Sequence, residues 1–296
     1  MTNQTSRTSQ TSQTSKTSRT SQTSQTNMTN MTIIFLLCLL PMLAHAGNDA
    51  NRASSIMQQV DARDDGDRSI ADMQMLLIDK HGKKRNRAIR SFSLDRGKDR
   101  FNLMFFLAPA DVKDSGFLTY DYDEAGRDDD QWLYLPALKK TKRIASSDKS
   151  GSFMGSDFSY ADLTKRRLDD YTYSFHQEQP EATVYGQKTW VIDCLPGSAR
   201  VIEETGYTRS ILFVRQDNFM VVRAIHFVKH GGLRKYFDVK RMELVDNIWT
   251  SLEIHMTARK GDDVVHRTIL TLDNVHYNQE AVDEKLFTVR TLEKGL

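Results

Sequence analysis

The sequence predicts a mainly β domain of the α+β class, an antiparallel sheet carrying a few short helices. Three observations predict it. Apolar and polar residues alternate over long stretches. Turn clusters interrupt those stretches at regular intervals, as in a run of hairpins. Only four short segments exchange the two-residue period for helical spacing.

The first segments of the 296-residue chain lie outside this pattern. Residues 1–27 form a Thr/Ser/Gln tract with no apolar residue after Met1, too polar to offset the entropy of ordering, so the tract is expected to be disordered or untranslated. Translation starting at Met1, Met28 or Met31 leaves the next apolar run intact in each case. Ile33 to Leu43 is that run, eleven residues long, and Ala44-His45-Ala46 supplies a small-x-small site. Residues 28–46 therefore read as a signal peptide cleaved after Ala46. The run is short of the roughly 20 residues a transmembrane helix needs. Leu37 before Cys38 disfavours a lipid-anchored lipoprotein.

Cleavage removes Arg7, Lys16 and Arg19 and no acid, so 41 basic residues against 39 acidic become 38 against 39, a net charge of −1. The basic excess sits in the removed part, and no basic stripe with interleaved aromatics survives, so nucleic-acid binding is not expected. Cys194 is the one cysteine after residue 46. No internal disulfide is available, and residues 47–296, read as a single domain, must hold together by their core.

The predicted turns are His81-Gly82, Arg96-Gly97, Glu124-Ala125-Gly126, Asp217-Asn218, His230-Gly231-Gly232 and Lys260-Gly261-Asp262-Asp263. They join neighbours in sequence, which predicts an antiparallel meander. Leu252, Ile254, Met256 and Ala258 alternate with Glu253, His255 and Thr257, a strand with one wet face. Helices are predicted over Asn51 to Val60, with Ala53, Ile56, Met57 and Val60 on one face, and over Asp157 to Arg166 and Ala281 to Glu293. A one-turn helix is predicted at Pro109 to Val112. Ser146 to Ser156, rich in Ser and Gly, is predicted to be a flexible loop.

Three strands are apolar on both faces. In 101–107, Phe101, Leu103, Phe105 and Leu107 fill one face while Met104 and Phe106 occupy the other. The same holds near Met73 to Ile78 and at Trp132-Leu133-Tyr134-Leu135. Central strands covered on both sides explain this, as does a face lining an apolar ligand cavity.

Signatures of chemistry are sparse. The sequence contains no G-x-S-x-G, H-E-x-x-H or phosphate loop. His226 and His230 stand four apart on strand and loop, and His255 and His266 are placed to face each other across the Lys260-Gly261 hairpin. A third metal ligand is not evident, so these histidines read as surface residues and no cofactor is expected. Cys194 reads as a structural thiol and Asp128-Asp129-Asp130 as a solvated loop.

The stretch Trp132-Leu133-Tyr134-Leu135-Pro136-Ala137-Leu138-Lys139-Lys140 with Arg143-Ile144, followed by Phe153-Met154-Gly155-Ser156-Asp157-Phe158-Ser159-Tyr160-Ala161-Asp162-Leu163, resembles the outer membrane lipoprotein-sorting protein family. This is the LolA-like group that includes treponemal lipid-binding lipoproteins. Leu286-Phe287-Thr288 with Arg290 and Leu292-Glu293 is similar to how these proteins end, and the resemblance runs from about Ser54 to the C-terminus. It implies a curved, unclosed antiparallel β half-barrel of LolA/LolB type, with a few helices across its concave side and an apolar cavity for acyl chains between them. It also implies a periplasmic monomer without catalytic residues, which carries lipid or lipoprotein acyl chains toward the outer membrane. Such a carrier would contact membranes transiently, and an inner-membrane exporter of the resistance-nodulation-division (RND) type is an implied partner. The alternative is a non-catalytic adaptor docking on such an exporter; a lipid hydrolase is a third, less supported reading.

The expected cavity lining is Phe101, Leu103, Phe105, Leu107, Trp132, Tyr134, Met154, Phe158 and Tyr160, with the opposite strand phase left open. Of the motif positions Gly155, Ser156, Asp157 and Asp162, the two aspartates are expected to cap and anchor a helix. The Ser146 to Ser156 loop is expected to move as ligand enters.

Overall fold

The computed structural model describes residues 49–296 except residue 125; the low-complexity tract and the segment read as a signal peptide lie outside the described residues. Fourteen strands follow in chain order. They are β1 (Arg68–Asp79), β2 (Lys84–Arg96), β3 (Asp99–Ala108), β4 (Gly116–Asp121), β5 (Asp130–Leu135), β6 (Lys140–Arg143), β7 (Tyr171–Phe175), β8 (Glu181–Val184), β9 (Gln187–Pro196), β10 (Tyr207–Arg215), β11 (Val221–Val228), β12 (Leu233–Val245), β13 (Ile248–Lys260) and β14 (Asp263–Tyr277). The order across the sheet is β6-β5-β4-β3-β2-β1-β14-β13-β12-β11-β10-β9-β7, with β8 also on β9. Two meanders thus meet where β1 pairs antiparallel with β14. The end strands β6 and β7 do not pair with each other, so the antiparallel sheet is an unclosed half-barrel, as the resemblance implies.

Direct partners in antiparallel strands project to the same face, so the register identifies each face. Leu212 pairs with Ala224, Ala224 with Phe237, Phe237 with Met256, Met256 with Thr268 and Thr268 with Leu77. Alternation along β1 adds Met75 and Met73 to this inner face. Met73 faces Ile89, Ile89 faces Phe106, and Met104, two residues along β3, faces Phe117, which faces Leu133. The opposite face holds Leu94, Phe101 and Tyr120, then Leu103, Leu118 and Trp132.

Both faces are covered, and by different segments. Residues 49–61 form the predicted first helix, α1, and its Ala53, Ile56 and Met57 pack on Ile192, Leu212, Val214 and Ala224. The segment between β6 and β7 crosses the inner face of β1 to β5. There Phe153, 1% exposed, stacks among Phe106, Phe117 and Tyr160. On the outer face the C-terminal segment lays Val282, Phe287 and Leu292 on Phe101, Leu103, Phe105 and Leu118. A Cβ on Gly116 would stand 2.6 Å from Leu292 Cδ1, so this strand position is glycine because the C-terminal segment lies directly on it.

Three helix expectations are corrected. Pro109 to Val112 is a hydrogen-bonded turn, with both Val112 and Lys113 N–H donating to the Pro109 carbonyl, because the chain must return at once into β4. Asp157 to Arg166 contains a single 3-10 turn, Ala161–Leu163, because its apolar side chains point into the sheet and do not form a stripe. Ala281 to Glu293 is split into a 3-10 turn, Glu284–Leu286, which Phe287 ends, and α3 (Val289–Lys294), which Thr288 caps by accepting from Thr291 N at 3.0 Å. All six predicted turns join the strands expected. The structure adds α2 (Ala199–Thr205), bracketed by Ser198 as N-cap and Gly206 at φ 75°. It also adds two-residue hairpins at Tyr185-Gly186 and Asp246-Asn247, with φ positive at both residues of each.

Truncating Phe153→Ala should cost about 3–5 kcal/mol of unfolding free energy, measured by urea denaturation, because the ring is enclosed between the inner sheet face and its own segment.

Candidate functional site

The G-S-D-F-S-Y block is a clasp that fixes residues 144–163 onto the sheet. Met154 and Gly155 take positive φ (51° and 75°), turning the chain so that Ser152 bridges Ser159. The turn is closed by Phe153 N–H donating to the Phe158 carbonyl at 2.7 Å. The buried Asp157 carboxylate accepts from Thr268 Oγ1 (2.7 Å) and lies 2.6 Å from His266 Nδ1, and its N–H donates back to Thr268 Oγ1. Arg87 donates to the Met154 carbonyl at 2.5 Å and Gln131 to the Tyr160 carbonyl at 2.9 Å. Ser159 and Asp162 exchange hydrogen bonds in the manner of a capping box, and Tyr207 donates its hydroxyl to Asp162. Asp162 therefore anchors a turn, much as expected of a cap, whereas Asp157 caps nothing and ties the segment to β14. Ser156 is buried, its Oγ accepting from Phe158 N–H at 3.2 Å.

The expectation of a free Ser146 to Ser156 loop is corrected accordingly. Lys149 is fully buried and bridges Glu204 at 2.6 Å and Asp129 at 3.6 Å, while Arg167 reaches Asp129 at 2.9 Å. A buried lysine persists only with such partners, and they bind the start of the clasp to α2.

Beyond the clasp, under α2 and over β10 to β13, lies a cavity of about 250 Å³. Its apolar wall is Phe158, Val201, Leu212, Ala224, Phe237 and Met256; its polar rim includes Arg166, Tyr207, His226 and Asp162. A second cavity of about 180 Å³ adjoins it toward α1, and Lys165, Arg166 and Val221 line both.

Of the nine side chains expected to line a cavity, Phe158 alone lines either of these two. Phe101, Leu103, Phe105, Trp132 and Tyr134 lie on the outer face or against the C-terminal segment. Leu107 shares their strand phase and is 36% exposed. Met154 and Tyr160 are on the inner side but pack on the Phe106-Phe117-Phe153 cluster. The phase was ambiguous because both faces of these strands are apolar, and the cavity sits over the other meander, whose inner residues include the small Ala224. Alternation along β10 to β13 points to those residues.

The histidine expectations also change. His226 is buried, stacks on Tyr207 with ring centroids 4.6 Å apart, and meets Ser210 Oγ through Nδ1 at 2.8 Å. Burial pushes its pKa down to about 4, so the ring is neutral at neutral pH. His255 does not face His266: the turn sets Lys260 against Asp263, and after one register shift His255 lies against Ile269 and His266 against Ala258. Cys194 is buried, and burial pushes its thiol up. No helix among the described residues is long and apolar enough to cross a membrane.

Asp121 stands at the foot of the Arg166 segment, accepting from Lys165 N–H. Burial, and then repulsion from Asp129, push its pKa up to about 7. Between the unfolded value near 4 and this folded value, folding takes up a proton, so the contribution of Asp121 to stability falls as pH rises through that window. His226, lowered to about 4, works in the opposite direction between about 4 and 6.5. Comparing Asp121→Asn with the parent cancels the histidine. The difference in melting temperature should be near zero at about pH 4 and grow to about 3 °C or more in favour of the variant by pH 8, read by scanning calorimetry.

A family model described as an uncharacterized protein matches residues 98–294. No curated protein matches the chain. Among solved structures, an outer membrane lipoprotein-sorting protein domain from Vibrio parahaemolyticus superposes with a TM-score of 0.73 at 29% identity, covering 82% of this chain and 99% of that one. A DUF1329 family protein from Desulfovibrio piger gives a TM-score of 0.73 at 27% identity over 82% and 99% of the two chains. A LolA superfamily protein from Nitrosomonas europaea shares the fold, with a TM-score of 0.59 at 16% identity over 80% of this chain and 97% of that one.

Proposed function

Because the chain belongs to the outer membrane lipoprotein-sorting protein family, with the LolA-like fold, we propose that it is a periplasmic, non-catalytic carrier that takes acyl chains of a lipid or lipoprotein into the cavity beneath α2. The observation that carries this reading is the cavity wall itself. Phe158, Leu212, Ala224, Phe237 and Met256 present a continuous apolar surface inside an unclosed sheet, where each methylene removed from water contributes about 0.8 kcal/mol. The nearest serine-histidine pair, Ser210 and His226, offers no nucleophile to that space, since Ser210 is buried and is not part of the cavity wall. Transport toward the outer membrane, action as a monomer and partnership with an RND-type exporter belong to the same proposal and rest on the family alone.

Native mass spectrometry of the protein purified from its own periplasm, followed by organic extraction, should find a stoichiometric lipid. A clean apo mass, together with no uptake of a fluorescent fatty acid, would remove the carrier reading and favour the adaptor. Val221 lines both cavities, so Val221→Trp should fill their junction and weaken fatty-acid uptake about tenfold or more while the far-ultraviolet circular dichroism stays that of a β protein.

A further inference from the structure

The charges around the two cavities pair off except at two arginines, Arg166 and Arg63. Lys165 meets Asp61 at 3.0 Å, Arg167 meets Asp129 at 2.9 Å, and Arg200 meets Asp170 at 3.0 Å. Lys149 meets Glu204 at 2.6 Å, and Lys235 is 3.9 Å from Asp162. Every carboxylate lining the larger cavity is thereby engaged. Arg166, which lines both cavities, makes no salt bridge among the described residues. Its neighbours Tyr171, Tyr173 and Cys194 do not balance it, because burial pushes all three upward and leaves them neutral at neutral pH. Arg166 instead lies over the Tyr171 ring, 5.3 Å from its centroid.

Two donors near Arg166 lack acceptors. Arg63 Nε, beside the smaller cavity, is buried without a hydrogen-bond partner, and Asp65 near it is taken by Arg100 at 2.6 Å. Tyr173 Oη is likewise buried and unpartnered. A desolvated guanidinium without an anion is costly unless something brings the anion. The apolar wall begins beside it. We infer that Arg166, at the junction of the two cavities, binds the anionic head, a carboxylate or a phosphate, of an amphiphile whose chain lies along Leu212, Ala224, Phe237 and Met256.

This inference rests on the carrier reading and deepens it by naming the ligand's charge. The test is displacement of a fluorescent fatty acid by dodecyl phosphate, dodecanoate, dodecanol and inorganic phosphate, compared in the full protein. Dodecyl phosphate and dodecanoate should compete about tenfold or more better than dodecanol, and inorganic phosphate alone should not compete. Arg166→Gln should erase the preference while leaving dodecanol unchanged, and Arg166→Lys should keep part of it. Removing a half-buried charge that has no carboxylate partner should leave the apo melting temperature equal or higher.

Equal competition by the charged and neutral amphiphiles in the parent protein overturns the head-group site and leaves the carrier standing, with no variant needed. Failure of every amphiphile to bind overturns both. Binding of inorganic phosphate as tightly as dodecyl phosphate makes this a free-phosphate site and overturns the amphiphile.

Discussion

An open sheet whose central strands are apolar on both faces has to be covered twice, and most of this structure follows from that constraint. A closed barrel would bury one face by curving on itself. Here β6 and β7 end the sheet unpaired, so the inner face is sealed by α1 and the clasp and the outer face of β2 to β5 by the C-terminal segment. Gly116 is the mark of the outer cover and the Asp157-Thr268 pair that of the inner one. The exposed edge at β6 carries Lys140, Lys142 and Arg143, charges that discourage a further strand from adding there.

The clasp also decides where space remains. Over β1 to β5 it drives Phe153 into the sheet and fills the curve. Past Asp162 it turns away toward α2, and over β10 to β13 the sheet meets only a partial roof. That is where the cavity lies, with an apolar floor from the strands and a rim of ion pairs from the roof. One short segment thus both completes the core in one meander and leaves it incomplete in the other.

The architecture was largely legible in the sequence, because alternation and turn chemistry are local signals. The six turns, the first helix with Ala53, Ile56 and Met57 inward, and the antiparallel meander all follow from nearest-neighbour pattern. The cavity was not legible, for a physical reason. Where Phe105 and Phe106 are both apolar, period alone cannot choose the inner face; that choice belongs to Leu292 and Phe153, which arrive from far along the chain. The resemblance identified Gly155 to Asp162 as a unit but not as a clasp, since its partners Thr268, His266 and Tyr207 lie more than forty residues away in sequence. His226 read as a surface residue because its burial depends on Tyr207 stacking over it.

The pairing of β1 with β14 sets the order in which the molecule is able to assemble. The strand at Arg68–Asp79 sits in the middle of the sheet, and one of its neighbours is the last strand made, Asp263–Tyr277. Until that strand emerges, the first meander keeps a long apolar edge without a partner, and such a high-separation contact is slow to form and late to be rewarded. A nascent chain stopped short of residue 263 cannot complete the sheet, because β14 is what joins its two halves. Closure of the two meanders into one sheet therefore waits for nearly the whole of the described chain.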